Sequence, residues 1–288
     1  MTWKRVATAV VLMPVAIGLV LWGSTTVVAV AVAVLTAVAL WEYFGLGEAI
    51  GHRAYRVWTV ICAVLLLYAQ WIAAYDNRVT DRVYLLFGHP LGEPPSALWI
   101  FFLFVVGLTV ITVWGKRVLV EALPAAGMSS SALLLVAFPL SYAVPLHGLG
   151  GMGRKFLLFA CAITWAGDTL AYFVGRAFGK HPLAPHLSPK KTWEGSVGSM
   201  AGSLLVAYAF SYWIKIPLGH LLVMGAVGNV AGQMGDLLES AYKRSAGVKD
   251  SGGLLPGHGG ILDRIDALIL CIPAIWYYLV LVNPVVVR

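Results

Sequence analysis

Asp236, Glu239, Ser240 and Lys243 fall at i, i+3, i+4 and i+7, so a helix would stack two acids, a hydroxyl and an amine on one face. The segment that follows, Gly247 to Gly260, has six glycines in fourteen residues and carries Lys249, Asp250, Pro256 and His258. Glycine lets the backbone come close to a ligand and turn consecutive N–H groups toward an anion. With Lys243, Arg244 and Lys249 beside it, such a loop reads as a phosphate cradle. It runs into Asp263, Arg264 and Asp266, which puts two carboxylates at i and i+3 at the start of a further apolar segment. Acids at a helix N-terminus are also ordinary partners of its dipole. The presence of Asp236 on the same predicted side favours an ion shared among them. Hard oxygen donors without Cys or a His pair suit Mg²⁺, which takes one or two carboxylates together with substrate phosphates.

A second polar constellation lies upstream. Asp168 has Trp165 and Tyr172 at i−3 and i+4, and its apolar segment ends in Gly175, Arg176, Gly179 and Lys180. Ser188, Lys190, Lys191 and Thr192 follow. Lysines at an interface often only snorkel. Two of them between hydroxyls, facing a glycine-rich loop, suit a triphosphate. An acid within a membrane span is costly, which makes Asp168 and Asp236 functional candidates. Glu42 sits near a span end beside Trp41 and Tyr43 and reads as an interfacial side chain within reach of water.

The elements that must hold these residues are membrane helices. Of 288 residues, 60% are hydrophobic and 11% charged, more apolar material than a water-soluble core of this size can hide. Val6 to Trp41 contains no charge in 36 residues, and at about 1.5 Å per residue it exceeds the ~30 Å of one hydrocarbon layer. It must cross twice, turning near Gly23 to Thr26. Further apolar segments at 57–75, 97–114, 132–149, 156–178, 195–214, 218–237 and 265–282 bring the expected crossings to nine. No strand-like alternation is visible, so the expected fold is an all-α integral membrane protein, a polytopic bundle of about nine transmembrane helices. Residues 1–288 read as a single membrane domain, with 1–150 mainly scaffold and 151–288 carrying the site.

Alternating the loops puts fourteen Lys and Arg residues on the N-terminal side and six on the other, which orients the N-terminus to the cytoplasm. The net charge of +7 belongs to these short loops, and no nucleic-acid partner is expected. Cys62, Cys161 and Cys271 each stand alone in apolar stretches, as buried small hydrophobes do. Gly175 and Gly179, Gly198 and Gly202, and Gly228 and Gly232 have the spacing that lets helices approach closely in lipid. Gly148, Gly150 and Gly153 match a dinucleotide-loop spacing, but they follow a membrane segment and not a strand. A transporter would also use intramembrane acids, yet it predicts inverted repeats, and none is visible.

Taken together, Ser240, Lys243, Arg244, Lys249, Asp250, Gly252, Pro256, His258, Gly259, Gly260, Asp263, Arg264 and Asp266 resemble the signature of the phosphatidate cytidylyltransferases, or CDP-diacylglycerol synthases. Asp168 to Arg176, Ser188 to Gly195, and Gly235, Asp236 and Glu239 are likewise similar to that family. The resemblance covers about a third of the chain and departs at Tyr242, where an aliphatic residue is usual, and at Ala267, where Ser is frequent. It implies a bacterial membrane enzyme, its site facing the cytoplasm, that joins CTP to phosphatidate with Mg²⁺ and room for a second metal. A homodimer is implied as well. On this reading Asp236 and Asp263 ligate the metal, with Asp266 and Asp250 behind them. Lys243, Arg244 and Arg264 take phosphate, and Lys190 and Lys191 bind CTP or the lipid headgroup. Ser240, Lys249, His258, Gly259, Gly260, Asp168 and Arg176 complete the substrate contacts, His258 either on a phosphate or shaping the turn. A CTP-dependent polyprenol kinase is the nearest alternative. A CDP-alcohol phosphotransferase would need an Asp-Gly motif, and no Asp here is followed by Gly.

Overall fold

The computed structural model describes residues 2–76, 85–86, 89–90, 96–254 and 259–282. Helix α1 (Thr2–Trp22) turns at Gly23 and Ser24 into α2 (Thr25–Ala49), where Ser24 Oγ accepts from the Val27 N–H at 3.2 Å and caps the new helix. After α3 (Arg56–Asp76) come the short pair β1 (Leu85–Leu86) and β2 (His89–Pro90), then α4 (Ala97–Trp114). One long span follows, assembled from a 3₁₀ turn (Leu119–Glu121), α5 (Ala122–Ala132), a π-helical turn (Leu133–Ala137), α6 (Phe138–Ser141) and α7 (Ala143–Gly148). Then α8 (Gly151–Phe178) leads through the hairpin β3 (Pro182–Ala184) and β4 (Ser188–Thr192) to α9 (Trp193–Ser211), α10 (Leu218–Ser245) and α11 (Leu262–Val282).

Each apolar segment expected from the sequence is helical, because a backbone amide in lipid must find its partner within its own segment. Among the described residues seven helical stretches are long and apolar enough to cross a membrane. Glycine- and serine-rich α9 is not among the seven, and the described apolar part of α1, Leu12–Trp22, is shorter. Leu98 on α4 is 78% exposed and Phe102 62%, as side chains facing acyl chains must be.

Two buried clusters share α11. Leu262, Ile265 and Ile269 pack with Leu40, Leu66, Phe104 and Leu133 of the first half. Further along the same helix, Cys271, Ile272 and Ile275 pack with Phe159, Ile163, Leu221 and Met224 of the second. The helix that carries Asp263 and Asp266 is therefore seated on the scaffold at its start and in the α8–α10 bundle along the rest. All three cysteines are buried and free.

The glycine spacing acts where α9 meets α8: a Cβ on Gly198 would stand 2.7 Å from Val174 Cβ, and one on Gly202 2.9 Å from the Ala166 carbonyl. Gly228 likewise admits Ile163, and Gly175 lies against both Thr192 and Gly195 at the start of α9, whereas Gly179 makes room for Thr192 at the end of the hairpin.

Candidate active site

A cavity of about 440 Å³ lies between α8, the β3–β4 hairpin, the start of α9 and α10. Asp168, Tyr172 and Arg176 come one turn apart on one face of α8, and Arg176 Nη1 donates to the Tyr172 hydroxyl at 2.9 Å. Lys190 and Lys191 enter from β4, Lys190 exposed and Lys191 half-buried in an ion pair with Asp236 of α10. Beneath them a polar chain runs between α9 and α10. Ser196 Oγ donates to Gln233 Oε1 at 2.6 Å, Gln233 Nε2 to Asn229 Oδ1 at 2.6 Å, and Asn229 Nδ2 to Ser199 and Ser203, both at 2.8 Å. Linked in series, these bonds fix the rotation of α10 that aims Asp236 at the cavity.

The segment around Lys190 and Lys191 is a paired hairpin, Pro182 opposite Thr192 and Ala184 opposite Ser188. Its exit is pinned because Thr192 Oγ1 accepts from the Gly195 N–H at 3.1 Å and so caps α9. Glu194 reaches back to His181 Nδ1 at 2.6 Å and to the N–H groups of Lys180 and His181. The His181 hydrogen bond foremost, then the backbone donors, hold the Glu194 carboxyl down to about 2.

Asp236, Glu239 and Asp266 bring carboxylate oxygens within 4.8 Å of one another. They meet because α10 and α11 nearly touch here: a Cβ on Gly235 would lie 2.5 Å from the Asp266 carbonyl. Asp168 lines the same cavity as Asp236 and Lys191. Both Glu239 oxygens are buried, and neither has a hydrogen bond in acceptable geometry, although Oε2 stands 2.5 Å from Lys243 Nζ as an ion pair. Three converging carboxylates, one of them short of donors, are a donor set that fits a hard divalent cation such as Mg²⁺.

This grouping differs from the expected pair of Asp236 and Asp263. Asp263 stands outside the group, with Lys243 between it and Glu239. Its Oδ1 meets Lys243 Nζ at 2.6 Å, and its Oδ2 accepts from the Gly260 N–H at 2.8 Å, the Ser251 N–H at 2.9 Å and Ser251 Oγ at 3.1 Å. In the first turn of α11 its carboxylate folds back on the loop, whereas Asp266, one turn on, faces α10. Lys243 is only 9% exposed and serves as counter-ion to two buried acids, not as an open phosphate ligand.

The glycine-rich loop differs in the same way, since its N–H groups at Ser251 and Gly260 point to Asp263. Gly259, at φ 78°, could not carry a Cβ, which would fall 2.7 Å from Asp263 Oδ2. Arg244 ties the hairpin to the loop, donating from Nε to the Leu187 carbonyl at 3.2 Å and from Nη1 to that of Val248 at 3.1 Å. Ser240 is buried; Lys249, Asp250 and Arg264 are exposed; His258 lies outside the described residues. The i, i+3 spacing alone puts Glu239 on the face of Asp236 without a role, and the position of Glu42 beside Trp41 and Tyr43 suggests an interfacial group. Glu42 is 6% exposed and accepts from the backbone N–H groups of Ile261 and Leu262. Tyr242 packs edge-on against Tyr43 at 5.5 Å, so the aromatic residue at this position joins α10 to α2.

Fold and site together define a polytopic helical membrane protein with carboxylates and cations gathered between its last four helices. The chain belongs to the Cytidylyltransferase family, whose sequence pattern matches residues 3–282. It is similar to a phosphatidate cytidylyltransferase of Bacillus subtilis (strain 168), 39% identical over 157 residues, which are 54% of this chain and 58% of that protein. The protein of the same name from Haemophilus influenzae is 45% identical over 140 residues, 46% of this chain and 47% of its own. That from Staphylococcus saprophyticus is 47% identical over 123 residues, 42% and 47%. The chain spans about half the length of the curated relatives it matches.

Proposed function

We propose that this protein is a phosphatidate cytidylyltransferase, joining CTP to phosphatidate to give CDP-diacylglycerol and pyrophosphate at the cytoplasmic face of the membrane. The observation that carries the reading is the meeting of Lys190, Lys191 and Arg176 with Asp168 and Asp236 around one cavity, where Asp236 also belongs to a group of carboxylates with Glu239 and Asp266. The family and the names of the relatives support it, and the excess of Lys and Arg in the N-terminal-side loops supports the orientation.

A phosphatidate oxygen attacks the α-phosphorus of CTP; the new P–O bond forms as the bond to the β-phosphate oxygen breaks, and pyrophosphate leaves. A phosphate monoester with a second pKa near 6 is mostly ionised at pH 7, so no strong general base is required. The obstacle is repulsion between anions. Lys190 and Arg176, both exposed at the cavity, offer positive charge to the incoming phosphates. Lys191 exchanges Asp236 for a phosphate oxygen, which releases the carboxylate. Asp236, Glu239 and Asp266 would hold Mg²⁺, which supplies neutralisation of the triphosphate and of the departing pyrophosphate. The Ser196–Gln233–Asn229 chain keeps α9 and α10 in register while the substrates exchange.

The test is an assay of detergent-solubilised protein with labelled CTP and phosphatidate. Mg²⁺-dependent liponucleotide with one pyrophosphate per turnover is expected. Phosphorylated lipid with CDP would overturn the reading in favour of a kinase.

A further inference from the structure

Glu42 belongs to α2, in the scaffold half, yet its carboxylate ends at the first turn of α11. Oε1 accepts from the Ile261 N–H at 2.9 Å, and Oε2 accepts from the Leu262 N–H at 2.8 Å and from Ser251 Oγ at 3.0 Å. The first N–H groups of a helix have no partner inside it. Here they are satisfied by a residue 219 and 220 positions earlier in the chain. Ser251 also donates its N–H to Asp263 Oδ2 at 2.9 Å, so the loop is held between one carboxylate from the scaffold and one from the helix it precedes.

The loop is shaped around this carboxylate. A Cβ on Gly252 would stand 2.7 Å from Glu42 Oε1, and one on Gly260 2.3 Å from Oε2. These two glycines are needed because Glu42 fills the space their side chains would take. The same clamp sets where α11 begins, and one turn further on α11 presents Asp266 to Asp236 and Glu239.

We propose that Glu42 is a positioning residue for the acidic group: by clamping the loop and the start of α11 it holds Asp266 among the carboxylates of α10. The kinetic half of this statement rests on the cytidylyltransferase reading; the structural half does not. Glu42→Gln preserves the side-chain volume and puts an amide donor where an acceptor met an N–H.

The experiment compares wild type and Glu42→Gln in detergent by hydrogen–deuterium exchange and by steady-state turnover of CTP and phosphatidate. Exchange at 251–254 and 259–262 should rise about tenfold or more, as expected for losing hydrogen bonds to a charged group, with α3 and α4 protected as in wild type. Turnover, kcat, should fall about tenfold or more while KM for CTP stays within about twofold, because Lys190 and Arg176 stand on other elements. If Glu42→Gln does not fold, Ser251→Ala, which removes the Oγ contacts to Glu42 and Asp263 and leaves the Ile261 and Leu262 N–H bonds to Glu42 in place, is read by the same assays for smaller changes of the same sign. Unchanged exchange at 251–254 and 259–262, faster exchange spread evenly over all helices, or a raised KM at unchanged kcat would overturn the proposal. Should the wild type make no liponucleotide, the functional reading falls, and the exchange arm alone decides the clamp: local loosening supports it and wild-type protection overturns it.

Discussion

Replacing Lys243 by Met keeps the aliphatic stem and removes the positive charge between Glu239 and Asp263, whose side chains are 5% and 6% exposed. An exposed ion pair is worth about 0–1 kcal/mol, but removing one partner of a buried pair costs roughly 3–5 kcal/mol because the other charge is left in a dry site. The two acids do not suffer equally. Asp263 keeps three donors at 2.8, 2.9 and 3.1 Å, whereas neither Glu239 oxygen has a well-formed hydrogen bond, so Glu239 bears most of the penalty. Lys243→Met should therefore lower stability by about 3–5 kcal/mol, which at about 2–4 °C per kcal/mol is near 6–20 °C in melting temperature. Adding Glu239→Gln removes the stranded charge and should recover about 2 kcal/mol or more. Tryptophan-fluorescence melts of both variants in the same detergent measure this. A Lys243→Met protein melting within about 2 °C of wild type, or a double variant no better than the single, would refute the placement of Lys243 as a buried counter-ion.

Lys191→Gln breaks a partly exposed ion pair and should change the melting temperature by no more than about 4 °C, since such pairs contribute under about 1 kcal/mol. Its kcat/KM for CTP should fall about 10- to 100-fold, the loss of one charge-assisted phosphate contact, in the liponucleotide assay. Gly235→Ala puts a methyl where the Asp266 carbonyl approaches, so α10 and α11 must part at the acidic group. An overpacking cost of about 1–3 kcal/mol and a turnover loss larger than that of Gly219→Ala, whose site has open space, are expected from melts and kinetics run side by side.

The membrane helices were legible because spans announce themselves by length and apolarity, and the close α8–α9 packing because Gly198 and Gly202 announce themselves by spacing. The β3–β4 hairpin was not. Ser188, Pro189, Lys190 and Lys191 lack the alternation by which a strand is known, and their pairing depends on the anchors at Thr192 and Glu194. The choice between Asp263 and Glu239 was also hidden. On α10 and α11 the i, i+3 spacing offers several acids to the same interface, and only the rotation of the helices, set by Gly235 and by the Asn229–Gln233 chain, decides which oxygens converge. Glu42 could not be read at all, since its partners are two backbone N–H groups at the start of α11 and a loop hydroxyl more than two hundred residues away, which leave no mark in composition or spacing. The glycines at 252 and 260 were visible, but as a cradle for an anion; the anions they accommodate are carboxylates of the protein itself.

The central claim is that Asp236, Glu239 and Asp266 act together in a CTP-dependent transfer to a lipid phosphate. Its most direct test is liponucleotide formation from labelled CTP and phosphatidate across a Mg²⁺ titration, comparing wild type with Asp236→Asn, each confirmed folded by its melt. A Mg²⁺-dependent product is expected from wild type, with a loss of about 10² or more in kcat for Asp236→Asn that extra Mg²⁺ does not restore. Wild-type turnover by Asp236→Asn at saturating Mg²⁺ would contradict it.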